Sequence, residues 1–134
     1  PDEPICGEAA VGADPYDLVV TDDRVFVPGR GDGVVHEFDP ELQPIAVHEG
    51  FSRPVDGFDI AGDWWVLDAA APQIRSLGGA VVETPAPGLA ATPVGDGRLA
   101  VSHYDDDRVS LVDVASGPVW TADAPAYPFG SVVV

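Results

Sequence analysis

Apolar residues in this chain come in short runs, each cut off by Gly, Pro, Asp or Ser before it can grow. No apolar pattern of period 3.6 survives ten residues without a Gly or Pro, so helices are not expected. The runs instead read as strands, and they fall into three sets of four. The first set is Leu18–Thr21, Arg24–Val27, Val34–Phe38 and Pro44–His48. The second is Gly57–Ala61, Trp64–Asp68, Gln73–Leu77 and Ala80–Thr84. The third is Leu89–Val94, Leu99–His103, Arg108–Asp113 and Pro118–Ala122. Asp22-Asp23, Asp96-Gly97 and Ser116-Gly117 supply hairpin turns between them.

The sets are copies of one another. Gly31-Asp-Gly-Val-Val-His-Glu-Phe-Asp39, Pro72-Gln-Ile-Arg-Ser-Leu-Gly78 and Asp106-Asp-Arg-Val-Ser-Leu-Val-Asp113 align so that Val35, Ile74 and Val109 are equivalent, at spacings of 39 and 35. A Pro opens an apolar strand in Pro15-Tyr-Asp-Leu-Val-Val, Pro54-Val-Asp-Gly-Phe-Asp-Ile and Pro128-Phe-Gly-Ser-Val-Val-Val, with Pro87-Gly-Leu-Ala-Ala as a weaker copy. Four antiparallel strands recurring every ~40 residues are the signature of β-propeller blades. The fold class expected is therefore all-β: about three four-stranded antiparallel blades, with half-blade strands at both ends. A β-sandwich built from similar hairpins is the alternative. Trp64-Trp65-Val66-Leu67 fits a middle strand apolar on both faces. Successive side chains alternate, so each indole would serve a different interblade contact.

The units resemble the YVTN-type and NHL-type propeller repeats of secreted and periplasmic proteins. The features that carry this are the Pro-x-[Asp/Gly] lead-in to the inner strand and the hairpin closing in Asp-Arg-Val-x-x-x-Asp, over roughly residues 4–134. The resemblance implies a secreted, periplasmic or cell-envelope location and ligand binding near the central channel. It does not imply one function, because such propellers host binding proteins, lactonases, lyases and chaperones alike. The expected divisions are an outer strand over 4–10, blades over 15–53, 54–86 and 87–127, and an inner strand over 128–134. An outer and an inner strand cannot pair across the missing middle of their blade. The ring is thus expected to close only with the remainder of a propeller or a second chain, and the association state to depend on salt.

Composition narrows the partners. With 23 Asp and Glu against six Arg and no Lys, the net charge is −17, which repels nucleic acid and anionic membranes. No apolar stretch is long enough to span a bilayer. The single cysteine, Cys6, can form neither an internal disulfide nor a thiolate cluster.

Strand alternation places the loops between second and third strands on the same face as the crossovers between blades. That face collects the candidate ligand-binding residues Arg30, Asp32, His48, Arg53, Asp56, His103, Tyr104 and Tyr127. His103 with Asp105 and Asp107 offers nitrogen and oxygen ligands for a divalent zinc or calcium ion; the alternative is a solvated hairpin tip. Arg30-Gly31-Asp32 reads as a tight turn, His36 as a structural mid-strand residue, and Arg53 with Asp56 as a structural ion pair. Gly-x-Ser-x-Gly, a phosphate loop, paired cysteine ligands and a haem attachment site are all absent. The leading expectation is a non-catalytic extracytoplasmic propeller that binds a small molecule or protein through its loop face. A metal-binding propeller is the second. Cys6-Gly-Glu-Ala-Ala and Gly33-Val-Val resemble parts of periplasmic zinc-chaperone propellers, without their histidine cluster. A propeller lyase or lactonase using metal-bound water or a histidine base is the third.

Overall fold

A computed structural model describes residues 7–126 and 128. Its strands form three four-stranded antiparallel meanders. The first holds β1 (Val19–Val20), β2 (Val25–Gly29), β3 (Val34–Phe38) and β4 (Pro44–His48). The second holds β5 (Pro54–Ile60), β6 (Asp63–Asp68), β7 (Gln73–Ser76) and β8 (Val81–Glu83). The third holds β9 (Ala90–Gly95), β10 (Arg98–His103), β11 (Arg108–Asp113) and β12 (Gly117–Asp123). Tyr104–Asp106 makes one turn of 3-10 helix between β10 and β11. The repeat holds at single-residue register: Val35, Ile74 and Val109 pair with Pro28, Leu67 and Ser102, the penultimate residues of β2, β6 and β10.

β3, β4 and β11 have the limits expected from sequence. The inner strands depart most. β1 shrinks to two residues, preceded by an isolated bridge from Pro15 to Gly29, while β5 extends back to Pro54. In the third blade the residue matching Pro15 and Pro54 is Gly88, not Pro87. Leu89 N–H donates to the Ser102 carbonyl as Tyr16 N–H donates to that of Pro28. A Cβ at Gly88 would crowd the side chains of Val101 and Leu67, 2.7 and 2.8 Å away, so the third blade excludes Pro there. Of the outer strand expected over 4–10, residues 7–10 are described and form no strand, although Ala9 packs against Val25, Val27 and Phe38. Residues 4–6 (Cys6 included), Tyr127 and the inner strand beyond Pro128 lie outside the described residues.

The core sits between the blades. In β6, alternate residues face blade one and blade three. Trp64 and Val66 pack with Phe26 and Val35 of blade one. Trp65 and Leu67 pack with Leu99, Val101 and Val112 of blade three. The Trp64 indole stacks on Phe26 with centroids 3.9 Å apart and planes inclined by 14°. It also lies across the backbone of Gly57, where a methyl group would overlap the ring.

Trp64→Ala and Trp65→Ala should each cost ~3–5 kcal/mol, because both indoles are buried. Gly57→Ala should cost about 1–3 kcal/mol by overpacking the Trp64 ring. Chemical denaturation of the three variants checks all of this, and a loss under 1 kcal/mol at either tryptophan would contradict the buried placement.

Candidate functional site

The loop-face geometry begins with the last residue of each second strand: Gly29, Asp68 and His103. These sit where a blade meets the crossover that leads into it. Asp68 is 2% exposed, and its carboxylate accepts N–H bonds from Ser52 (2.7 Å), Arg53 (3.0 Å) and Ala70 (2.9 Å). The crossover and the β6–β7 loop are thereby tied to one side chain. In blade three His103 ties the crossover to β11 instead: Nδ1 lies 3.2 Å from the Pro87 carbonyl, and Nε2 lies 2.6 Å from Ser110 Oγ. A carbonyl only accepts, so Nδ1 carries the proton of that bond. In blade one, glycine at this position leaves room for Asp32, whose Oδ2 accepts from Ala13 N–H at 2.9 Å.

These ties bring the crossovers and loops of all three blades around one pocket of about 240 Å³. Tyr16 and Arg30 line it from blade one, Arg53 and Ala69 from blade two, and Pro87, Gly88, Leu89, Tyr104 and Asp105 from blade three. Arg30 is held by Asp14, with Nε to Oδ2 at 2.7 Å, and its guanidinium lies 4.5 Å from the centre of the Tyr16 ring. The bond to Asp14 holds the Arg30 pKa above its ordinary value. Arg53 is exposed at the rim.

The residues expected on this face separate into groups. Arg30, Arg53, Tyr104 and Asp105 meet at the pocket. Asp32 is occupied in holding the chain at Ala13. His48 lies elsewhere, in a groove between blades one and two, with Nε2 2.7 Å from Glu37 Oε2. Tyr127 is outside the described residues. The three residues read as metal ligands do not share a site: His103 is fully buried with both ring nitrogens engaged, whereas Asp105 and Asp107 are exposed on the following turn. Among the described residues, no three His, Cys, Asp or Glu side chains converge as a metal site would require. The hairpin-tip reading of this segment fits its aspartates and fails for His103, which continues the inward alternation of Leu99 and Val101.

Arg53 and Asp56 do not form the ion pair expected of them. Three residues of extended chain separate them by up to ~10 Å. Asp56 lies within β5, beside a second cavity lined by Tyr16, Asp17, Val55, Asp56, Leu89 and Ala90. Tyr16 and Leu89 line both this cavity and the loop-face pocket, so the two adjoin. Asp17 and Asp56 each stand two residues after the equivalent Pro15 and Pro54, with Ala90 as the third member of the set. Burial pushes the Asp56 carboxyl up to about 7. Bonds from Gly57 and Ala91 N–H oppose that rise, while the charge and hydrogen bond of Asp17 add to it. Sequence reasoning missed Tyr16, Asp17 and Leu89. The repeated Pro-x-Asp was a signal for Asp17.

No protein-family model matches the chain, and no curated protein matches it by sequence. Solved structures do match. A streptogramin B lyase superposes with a TM-score of 0.74 at 16% identity, covering 88% of this chain and 44% of its own. The computationally designed Ika4 protein superposes at 0.74 and 11% identity, over 96% and 85%. BamB from Moraxella catarrhalis superposes at 0.63 and 18% identity, over 81% and 36%. The chain thus has a β-propeller architecture and spans less than half the length of the lyase. At these identities the likeness concerns the fold alone.

The raised Asp56 pKa sets a sign for pH dependence. Folded Asp56 keeps a proton that the unfolded chain loses near its ordinary value of 3.8. The stability this proton confers is complete below about 4 and falls away as pH rises through about 7. Asp56→Asn mimics the protonated form and should flatten that part of the stability–pH curve. Thermal unfolding from pH 4 to 8 checks it; parallel curves for the two proteins would contradict the assignment.

Proposed function

We propose that this chain is the recognition part of a non-catalytic, extracytoplasmic β-propeller that binds a small molecule in the loop-face pocket. One observation carries the reading: loops and crossovers from three blades converge there and bring together two of the chain's six arginines, Arg30 and Arg53, with Tyr16 and Tyr104. Pockets of this kind, with a few convergent polar groups at the end of a rigid scaffold, are the usual place for ligands. The location outside the cytoplasm rests on the resemblance to YVTN-type and NHL-type repeats. The expectation of further blades rests on the face of blade three turned away from blade two, where Leu111 pairs with Trp120, which is 55% exposed. Further blades, from the rest of a propeller or a second chain, would cover that face in a closed ring of ~4–8 blades.

A propeller lyase or lactonase is the second reading, and Asp56 favours it. A carboxyl titrating near 7 beside the pocket could give or take a proton at neutral pH. In that case Asp56→Asn would abolish turnover of a lactone or uronate substrate and spare its binding.

A thermal-shift survey of small polar compounds tests the leading reading. A ligand present at ~100 times its Kd stabilises by ~2.7 kcal/mol. The shift should vanish in Leu89→Trp, which fills the pocket. An equal shift in that variant would place binding elsewhere.

A further inference from the structure

Two opposite charges line the loop-face pocket without meeting. Arg53 stands on the crossover into blade two. Its backbone is fixed on both sides, N–H to Asp68 Oδ1 at 3.0 Å and carbonyl from Ala69 N–H at 2.8 Å. Asp105 stands on the turn after β10. Both side chains are exposed, both line the pocket, and among the described residues neither forms an ion pair with the other or with a third group. The other cation at the pocket, Arg30, is already neutralised by Asp14 and stacked on Tyr16. What remains open is one guanidinium and one carboxylate, with Leu89 and Pro87 as an apolar wall.

We propose that the pocket takes a zwitterion, an α-amino acid with an apolar or aromatic side chain. This rests on the reading of the pocket as a ligand site and names the ligand's class. The carboxylate is received by the Arg53 fork, which matches its planar geometry. The ammonium is received by Asp105, and the side chain lies against Leu89 and Pro87. Size agrees: about 240 Å³ is below the ~300–1,000 Å³ of sites for drug-sized ligands. Long-range electrostatics disfavour one alternative. A net charge of −17 repels a simple anion, and a molecule of no net charge escapes that repulsion.

Calorimetric titration with L-phenylalanine, N-acetyl-L-phenylalanine and L-phenylalaninamide tests this in the wild type, Arg53→Ala and Asp105→Asn. Each blocked derivative should bind the wild type at least ~10-fold more weakly than L-phenylalanine, the loss of one charge-assisted contact. Arg53→Ala should stop distinguishing L-phenylalanine from its amide, and Asp105→Asn should stop distinguishing it from the N-acetyl form. Both changes are at exposed side chains, and unchanged circular dichroism confirms folding. Equal binding of the blocked forms, discrimination that survives the substitutions, or no binding of L-phenylalanine overturns the proposal. If the series fails while some other compound gives a shift lost in Leu89→Trp, only the zwitterion is wrong. If no compound gives such a shift, the pocket reading falls too.

Discussion

Everything in this chain hangs on β6 being packed from both sides. Its residues alternate between two neighbours, Trp64 and Val66 toward blade one and Trp65 and Leu67 toward blade three, and all four are buried. A single four-stranded meander has two apolar faces and nothing of its own to cover them. Blade two solves this by lying between its copies. The Trp64 ring fits because Gly57 has no side chain beneath it, and Phe26 closes the other side of the indole. Among the described residues, blades one and three each have one such neighbour, and their outer strands expose Ile45, Val47, Val119 and Trp120.

Packing sets how the blades stack, and a smaller set of polar ties sets where the loops go. Each crossover must run over the end of the sheet with backbone groups that no strand can satisfy. Asp68 takes up two of those donors in blade two, and a third from the β6–β7 loop. Asp32 takes one in blade one, and His103 meets a carbonyl in blade three. The chemistry differs because the group presented differs: free N–H groups call for a carboxylate, a carbonyl calls for a ring N–H. With the crossovers fixed, the side chains they carry meet at the loop-face pocket. The same convergence brings the inner strands together, which is why Asp56 loses enough water to hold its proton toward neutrality.

Much of this could be read from residues alone. Short runs bounded by Gly, Pro and Asp mark β3, β4 and β11 with their observed limits, and the Trp64-Trp65 pair marks the strand with two buried faces. The face gathering Arg30, Arg53 and Tyr104 also follows from strand direction. Inner strands were harder: their pairing depends on the neighbouring blades as much as on their own residues, so β1 is shorter and β5 longer than their apolar runs suggest. His103 looks like part of the acidic tip that follows it, but its place two residues beyond Val101 settles its direction. The missing Arg53–Asp56 pair follows from β5 starting as early as Pro54, and the high pKa of Asp56 depends on how closely separate strands approach, which no local pattern encodes.

Native-state hydrogen exchange tests the central role of blade two most directly. Strands enclosed on both faces should open only when the whole molecule unfolds. The amides of Trp64, Trp65, Val66 and Leu67 should exchange at the global unfolding free energy, and those of the outer strands β4 and β12 should exchange faster by local opening. Exchange from β6 as fast as from β12 would contradict the account.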